Sequence, residues 1–405
     1  MRGHGRRVRG ICGVALATLA VCALAGCGRA PEARLESHAL PDGGTTLSLR
    51  HARNVAIHTF PGYTVVRMSG PVSDGGEGTV PRHDTIVLAP RDAPLPQLPD
   101  ALAGAAVVRT PVRTIATNSG ADEAFLSQLG IADRLVAVGG LQSYDRDIRA
   151  RTLAGEIGQV GYNWHAPPNL DVLVRQAPDV FLMRLGSLEH AGALERARRL
   201  GIPVLPTFAE DEAHYLGRAE WLRVYGLLAG RQAQADALFE EIETRVAALR
   251  QAAAARPPTP ALWAYPNGAD RWVATVRGAE GELLADAGGR NLLARPGQDG
   301  AYPSDMVSTE AVLPAADAAA VWILGDIHAV PPRSLGLLEG LQAWRPGHLY
   351  GNTARIDPEA NAYDWYQTGV VRPDWVLQDF VKALHPELVD APFVFLRPLQ
   401  PGEFR

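Results

Sequence analysis

The chain has almost no lysine. Of its 39 lysines and arginines only Lys382 is a lysine, in the stretch Phe380-Val381-Lys382-Ala383. A phosphate loop of the G-x-x-x-x-G-K-[ST] type needs a lysine after its second glycine, so the commonest nucleotide-hydrolase loop is excluded. Cysteine is nearly as scarce: Cys12, Cys22 and Cys27 all fall within the first 27 residues. No G-x-S-x-G turn presents a serine nucleophile, and no H-x-x-H or H-E-x-x-H sets up a zinc ion. The eleven histidines are scattered, so a directly bound metal ion is not expected. A formal charge of −5 argues against a broad nucleic-acid-binding surface. What is present is a 405-residue chain, 47% hydrophobic and 20% charged. That is long enough for more than one domain and apolar enough to bury a core.

The start of the chain reads as a secretory signal. Arg2, Arg6, Arg7 and Arg9 precede an apolar run from Ile11 to Ala25. At about 15 residues this run is too short to span a bilayer comfortably as a helix. It closes in Leu24-Ala25-Gly26-Cys27, which resembles the bacterial lipoprotein box. That resemblance implies cleavage after residue 26 and lipid on Cys27, with the acyl chains holding the protein to a membrane of the cell envelope. Loss of residues 1–26 also removes Cys12 and Cys22, leaving no free thiol and no disulfide. Thiolate catalysis, Cys-ligated zinc and iron–sulfur clusters are then excluded. Four arginines and no acids leave with the signal, so the formal charge moves from −5 to −9. Residues 27–43, rich in Ala, Pro and Gly, read as a tether.

Short strands separated by Pro61-Gly62 and Asp74-Gly75-Gly76 predict a small N-terminal β appendage over residues 44–108. Strands then alternate with helices over 109–213, as in an α/β lobe with a mostly parallel sheet. In 214–256, Trp221, Val224, Tyr225, Leu228, Leu238, Ile242 and Val246 recur at three- and four-residue spacings, the mark of a helix, and Gly230 is expected to interrupt it. The part from Ala233 to Ala255 alone would make a rod about 35 Å long. A second series of strands and helices occupies 257–395. The expected fold class is therefore α/β, two α/β lobes joined by a single long helix, with the N-terminal β appendage.

Several phrases together resemble the periplasmic substrate-binding proteins of iron-siderophore, haem and cobalamin ABC importers. Thr114-Ile115-Ala116-Thr117-Asn118-Ser119 leads to Leu129-Gly130-Ile131-Ala132-Asp133-Arg134-Leu135, as in that family's first strand, helix and second strand. Pro168-Asn169-Leu170-Asp171 before Ala177-Pro178-Asp179-Val180 is similar to its "P-N-L-E … P-D-V" segment. Leu216-Gly217-Arg218-Ala219-Glu220-Trp221, Val307-Ser308-Thr309-Glu310-Ala311-Val312-Leu313 and Gly369-Val370-Val371-Arg372-Pro373-Asp374 resemble later elements, over about residues 109–390. The resemblance implies a monomeric, non-enzymatic binding protein with its ligand in a rigid interlobe cleft. The cargo would be a siderophore-type ferric chelate or, alternatively, haem or cobalamin. The partners would be an ABC permease with its ATPase. It also implies one docking carboxylate per lobe, at Asp171 and Glu310. Each opens a helix, where an acid is favourable to the helix dipole without any partner.

Cleft residues are expected in loops at the carboxyl ends of strands. In the first lobe these are Asn118, Ser119, Tyr144, Tyr162, Trp164, His165, Arg184 and Phe208. In the second they are Tyr265, Asn267, Trp272, Tyr302 and Asp326, with Tyr363 and Trp365 preceding the last helix. The segments 161–165 and 361–366 hold five of the chain's eight tryptophans and ten tyrosines. Such aromatic loops suit a flat, partly apolar ligand, and Arg184 offers a planar fork to an anionic one. Packing within the core is the alternative for each aromatic, and a salt bridge for Arg184. His165 and His328 are open as ligands to a haem iron.

Overall fold

The computed structural model describes residues 43–400 apart from 77, 269, 296–302, 326–337 and 339. The signal segment, Cys27, Tyr302, Asp326 and His328 lie outside the described residues.

The N-terminal sheet comprises β1 (Thr45–Leu47), β2 (Val55–Phe60), β3 (Tyr63–Ser73), β4 (Thr79–Pro90) and β5 (Ala106–Thr110), in that spatial order. The first four pair antiparallel and β5 joins parallel to β4. Phe60 pairs with Tyr63 across Pro61-Gly62, and Gly62 takes the left-handed φ of 85° that such a tight turn needs. This sheet is riveted to the rest of the molecule. The Glu212 carboxylate accepts from the amides of Arg53 and Asn54 at 2.8 and 2.9 Å and from the Trp221 indole at 2.9 Å. Glu220 accepts from the amides of Arg50, His51 and Ala52. Both acids are buried, and these donors replace the water they lose. Arg198 forks onto buried Asp84 at 2.8 and 3.0 Å. At Gly70 a Cβ would lie 2.2 Å from the Phe208 ring, so only glycine lets strand and ring meet.

The first lobe contains β6 (Ile115–Thr117), helix α1 (Gly120–Gln128), β7 (Leu135–Val138), α2 (Arg146–Leu153), β8 (Gly158–Gln159), α3 (Leu170–Gln176), β9 (Val180–Arg184), α4 (Leu188–Arg199) and β10 (Val204–Thr207). All five strands are parallel, in the order β10-β9-β6-β7-β8. Every residue of β6 and β10 is buried, as expected for strands covered on both faces. The chain runs outward in one direction through β6, β7 and β8 and in the other through β9 and β10. Loops leaving β6 and β9 therefore diverge and open a crevice.

Helices α5 (Tyr215–Glu220), α6 (Leu222–Ala229) and α7 (Gln232–Ala254) follow. The rod is α7, 23 residues or about 35 Å long. Gly230, at φ 70°, terminates α6 in a left-handed cap, so the segment ahead of the rod is two short helices. Ala235, Phe239, Ile242, Val246 and Ala253 form the buried stripe of α7, and its other faces are wet.

The second lobe holds β11 (Thr259–Pro266), β12 (Arg271–Thr275), α8 (Gly278–Asp286), β13 (Gly289–Asn291), β14 (Ser304–Ser308), α9 (Thr309–Ala318), β15 (Val321–Leu324), β16 (Leu349–Gly351), a small hairpin of β17 (Ile356–Asp357) and β18 (Ala362–Tyr363), and β19 (Arg397–Pro398). Its sheet runs β14-β12-β11-β15-β16-β19, with β13 also on β11. Alternation along its strands feeds two cores. Ala261, Trp263, Val321 and Ile323 join the large core shared with the first lobe and linking helices. Leu262, Ala264, Trp322 and Leu324 join a smaller core behind the sheet. The helix Pro373–Leu384 packs on α7, and Lys382 in its last turn donates through Nζ to the Ala391 carbonyl beyond the helix at 2.6 Å, above the Phe393 ring.

Candidate functional site: a two-chambered interlobe cleft

The crevice at β6 and β9 opens against the second lobe as two adjoining chambers. The first, about 330 Å³, is lined by Ser119, Gly120, Ala121, Gln142, Trp164 and Glu210 from the first lobe and by Asn361, Tyr363, Tyr366 and Gln367 from the second. The second, about 460 Å³, shares Glu210 and Tyr366 with the first and adds Arg184, Asp211, Arg218, Arg277 and Glu280. One end is thus aromatic and the other charged.

The floor is a network of buried polar groups. Ser119 caps α1 by accepting from the Ala121 amide, and its hydroxyl donates to Glu210 at 3.1 Å. Asp122 accepts from the Thr117 hydroxyl at 2.8 Å and from the Tyr225 hydroxyl at 2.5 Å. Burial pushes its carboxyl up to about 6 although both hydroxyls favour the ionised form. Arg184 donates through both terminal nitrogens to Asp211, at 2.6 and 2.8 Å, with Glu210 3.5 Å from its Nε. Burial works against its charge, but the two acids outweigh that and hold its pKa above the ordinary value. Arg218 pairs with Glu280 at 2.7 Å and Arg277 with Asp305 at 2.6 Å. The arginines at the charged end are therefore neutralised within the protein.

The lobes are already in contact around this cleft. Gln367 accepts from the Tyr144 amide at 2.9 Å and donates to the Gln142 carbonyl at 2.8 Å. Arg355 lies over the Tyr144 ring at 5.0 Å, and Arg149 pairs with Asp357 at 2.5 Å.

The structure brings Ser119, Trp164 and Tyr363 to the aromatic chamber and Arg184 to the charged one. Trp164 is 55% exposed yet stacked on Tyr162 with centroids 4.4 Å apart. Trp365 lines a smaller cavity of about 90 Å³ beneath, with Trp263 and Tyr215. Several expected cleft residues sit elsewhere. Trp272 is a core residue behind the second sheet, its indole donating to Thr309. Phe208 is buried against Gly70. Tyr162 is buried because it fills the space over Gly139, and it supports Trp164 from below. Asn118 is a buried brace: its amide bonds both backbone groups of Arg184, tying β6 to β9. Tyr144 faces a separate cavity on the seam. His165 is exposed at the edge of Trp164, 5.8 Å between centroids, without lining either chamber. Tyr265 and Asn267 lie outside both linings, Asn267 next to Met306. Gln367 and Asn361 are lining residues that the sequence reading missed. Asn361, at φ 50°, carries a weak sequence signal as a residue type that tolerates the left-handed region; Gln367 carries none.

Asp171 and Glu310 are both exposed, one in the first turn of α3 and the other in the first turn of α9, on different lobes. Asn169 caps α3 by accepting from the Asp171 and Val172 amides. The Ser308 side chain holds the Glu310 carboxyl below its ordinary pKa.

The family model described as "Periplasmic binding protein" matches residues 115–342. The chain belongs to the periplasmic binding protein family. Its likeness to solved members supports the same two-lobed fold. A periplasmic heme binding protein from Pseudomonas aeruginosa is 17% identical, with a TM-score of 0.53 over 71% of this chain and 98% of that one. A siderophore binding protein, BauB, bound to a complex of two acinetobactin molecules and ferric iron, is 16% identical, with a TM-score of 0.52 over 78% of this chain and 99% of that one. An uncharacterized lipoprotein of Methanocaldococcus jannaschii is 23% identical over 251 residues, 60% of this periplasmic binding protein. The match spans 56% of that relative's length.

Proposed function

We propose that this chain is a solute-binding lipoprotein that captures a siderophore-type ferric chelate between its lobes and hands it to an ABC permease driven by its ATPase. Cys27 would carry the lipid, and residues 28–43 would tether the lobes to a membrane of the cell envelope, facing the periplasm or the cell exterior. The observation that carries the cargo class is the aromatic chamber. Trp164 is kept in solvent contact by stacking on a buried tyrosine, and Tyr363 and Tyr366 line the same space. Leaving an indole wet forgoes burial energy, and a flat ring seated there would recover it. Chelate rings suit this better than a bare ion does: among the described residues no group of three or more His, Cys, Asp or Glu is arranged to hold a metal. The relative that binds ferric acinetobactin has the same fold.

Haem or cobalamin is the second reading. His165, exposed beside Trp164, is the observation that favours haem. Titration with a ferric catecholate chelate, haem and cyanocobalamin, followed by tryptophan quenching, decides among them. Saturable quenching by the chelate and a loss of at least about tenfold in affinity in Trp164→Ala, 1.4 kcal/mol, are expected. Saturation by haem or cyanocobalamin alone would transfer the reading to that ligand. Turnover of a model ester without saturable binding would overturn a binding role altogether.

A further inference from the structure

The charged chamber has a third wall that neither lobe supplies. Pro71, Ser73 and Thr79, from the tip of the β3–β4 hairpin, line it together with Arg184, Arg277 and Glu280. This hairpin precedes the region that matches the family model, which begins at residue 115. Its two faces are used differently. Val72 is buried and Val80 packs on the large core. Pro71, Ser73 and Thr79 point the other way, as alternation along paired strands requires, and Ser73 lies directly opposite Thr79. The tip is also held in place. The Ser73 amide donates to the Gly186 carbonyl at 3.2 Å, and Ser73 bridges to Ser187 in the loop that follows Arg184. Below it, Gly70 rests on Phe208, next to the Glu210–Asp211 turn that pairs with Arg184. Hairpin and charged chamber are therefore one construction, and a molecule filling the chamber touches the hairpin.

We infer that the N-terminal sheet is a specificity element: its hairpin tip contacts the cargo and sets how large a group the charged end of the cleft admits. The polar, uncharged face of Ser73 and Thr79, opposite arginines already paired with acids, suits a neutral hydrogen-bonding rim of a chelate or macrocycle. This inference rests on the cargo reading above, and the test separates the two.

The full chain and its Ser73→Phe/Thr79→Phe variant are titrated calorimetrically with the ferric catecholate chelate, haem and cyanocobalamin. Thermal unfolding is recorded in parallel. The expected result is at least a tenfold loss of affinity for whichever probe the parent binds, with the unfolding midpoint unchanged. In a second variant, Thr79→Cys, the introduced thiol is expected to react slowly with a maleimide when that probe is bound and rapidly without it. Peptide mass distinguishes it from the three cysteines near the amino terminus. A parent that binds a probe, alongside a double-Phe variant of equal affinity and an introduced thiol that the probe leaves unprotected, would overturn the hairpin's role and leave the cargo reading standing. A parent that binds none of the three would overturn both.

Discussion

Glu123 illustrates how a single side chain can tie stability to pH. It sits in the first turn of α1, buried, with neither carboxyl oxygen in hydrogen-bond geometry to a partner. Burial pushes its pKa up to about 8 from an ordinary 4.5; the nearby Ser143 hydroxyl and Gly139 amide temper the shift, and Asp122 and Asp145 add to it. Between those two values the folded chain holds a proton that the unfolded chain has released. Stability therefore falls as pH rises through that window, by up to about 1.4 kcal/mol per unit, and levels off above it. Glu123→Gln is expected to flatten this dependence, read as urea midpoints at pH 5 and pH 8; parallel profiles for the two proteins would refute it. Gly139 gives a second residue-scale expectation. A Cβ there would lie 2.0 Å from the Tyr162 ring, so Gly139→Ala should cost about 1–3 kcal/mol by calorimetry and weaken cargo binding by displacing the platform under Trp164. These residues also show where sequence reading stops. Tyr162 and Trp164 are two positions apart and equally aromatic, yet one is core and the other lining, because Gly139 opens room for only one of them. Trp272 and Phe208 depart from the expected cleft for the same reason: aromatic character signals burial value, not the surface on which it is spent.

At the scale of elements the sequence was more legible. The parallel strands of the first lobe appear as apolar runs after glycine- or proline-marked turns, and the rod appears as a long three- and four-residue spacing. The short strands β14 and β16 carry too few residues for a period to show. Helix α9 continues to Ala318 although Pro314 lies inside it; an internal proline ordinarily ends a helix, but the carbonyl it leaves unmet, that of Glu310, belongs to an exposed residue. Gly230 separates α6 from α7 by its left-handed cap, and Gly230→Ala is expected to lower stability by about 1 kcal/mol in chemical denaturation with cargo affinity unchanged. The starts of α3 and α9 carry the proposed docking acids. Asp171→Ala and Glu310→Ala are expected to leave cargo affinity intact and to depress uptake into cells or reconstituted vesicles. A tenfold fall in cargo affinity in either variant would remove that residue from the docking role. Asp171 is one methylene shorter than the glutamate usual in the resembled family, so Asp171→Glu is the informative companion.

The whole molecule is a closed frame more than a hinge. The Gln367 amide, the Arg149–Asp357 pair and Arg355 over Tyr144 link the lobes directly, and one large core runs from the N-terminal sheet through the linking helices into the second lobe. Small-angle scattering is expected to show a radius of gyration that changes by less than ~1 Å on cargo binding, as in other preorganised binders. A contraction of several ångströms would show that these links form only with cargo present. No individual segment of the sequence announces this closure, since Gln367 and its two backbone partners lie 223 and 225 positions apart. The arginine-for-lysine bias has a practical side. Apart from the amino terminus, Lys382 is the one primary amine in the chain, and its hold on the Ala391 carbonyl fixes it in a segment that lines neither chamber. A succinimidyl dye thus has a single side-chain address on this protein, away from the gripping surfaces, so surface-coupled or fluorescence-tagged samples come oriented without engineering.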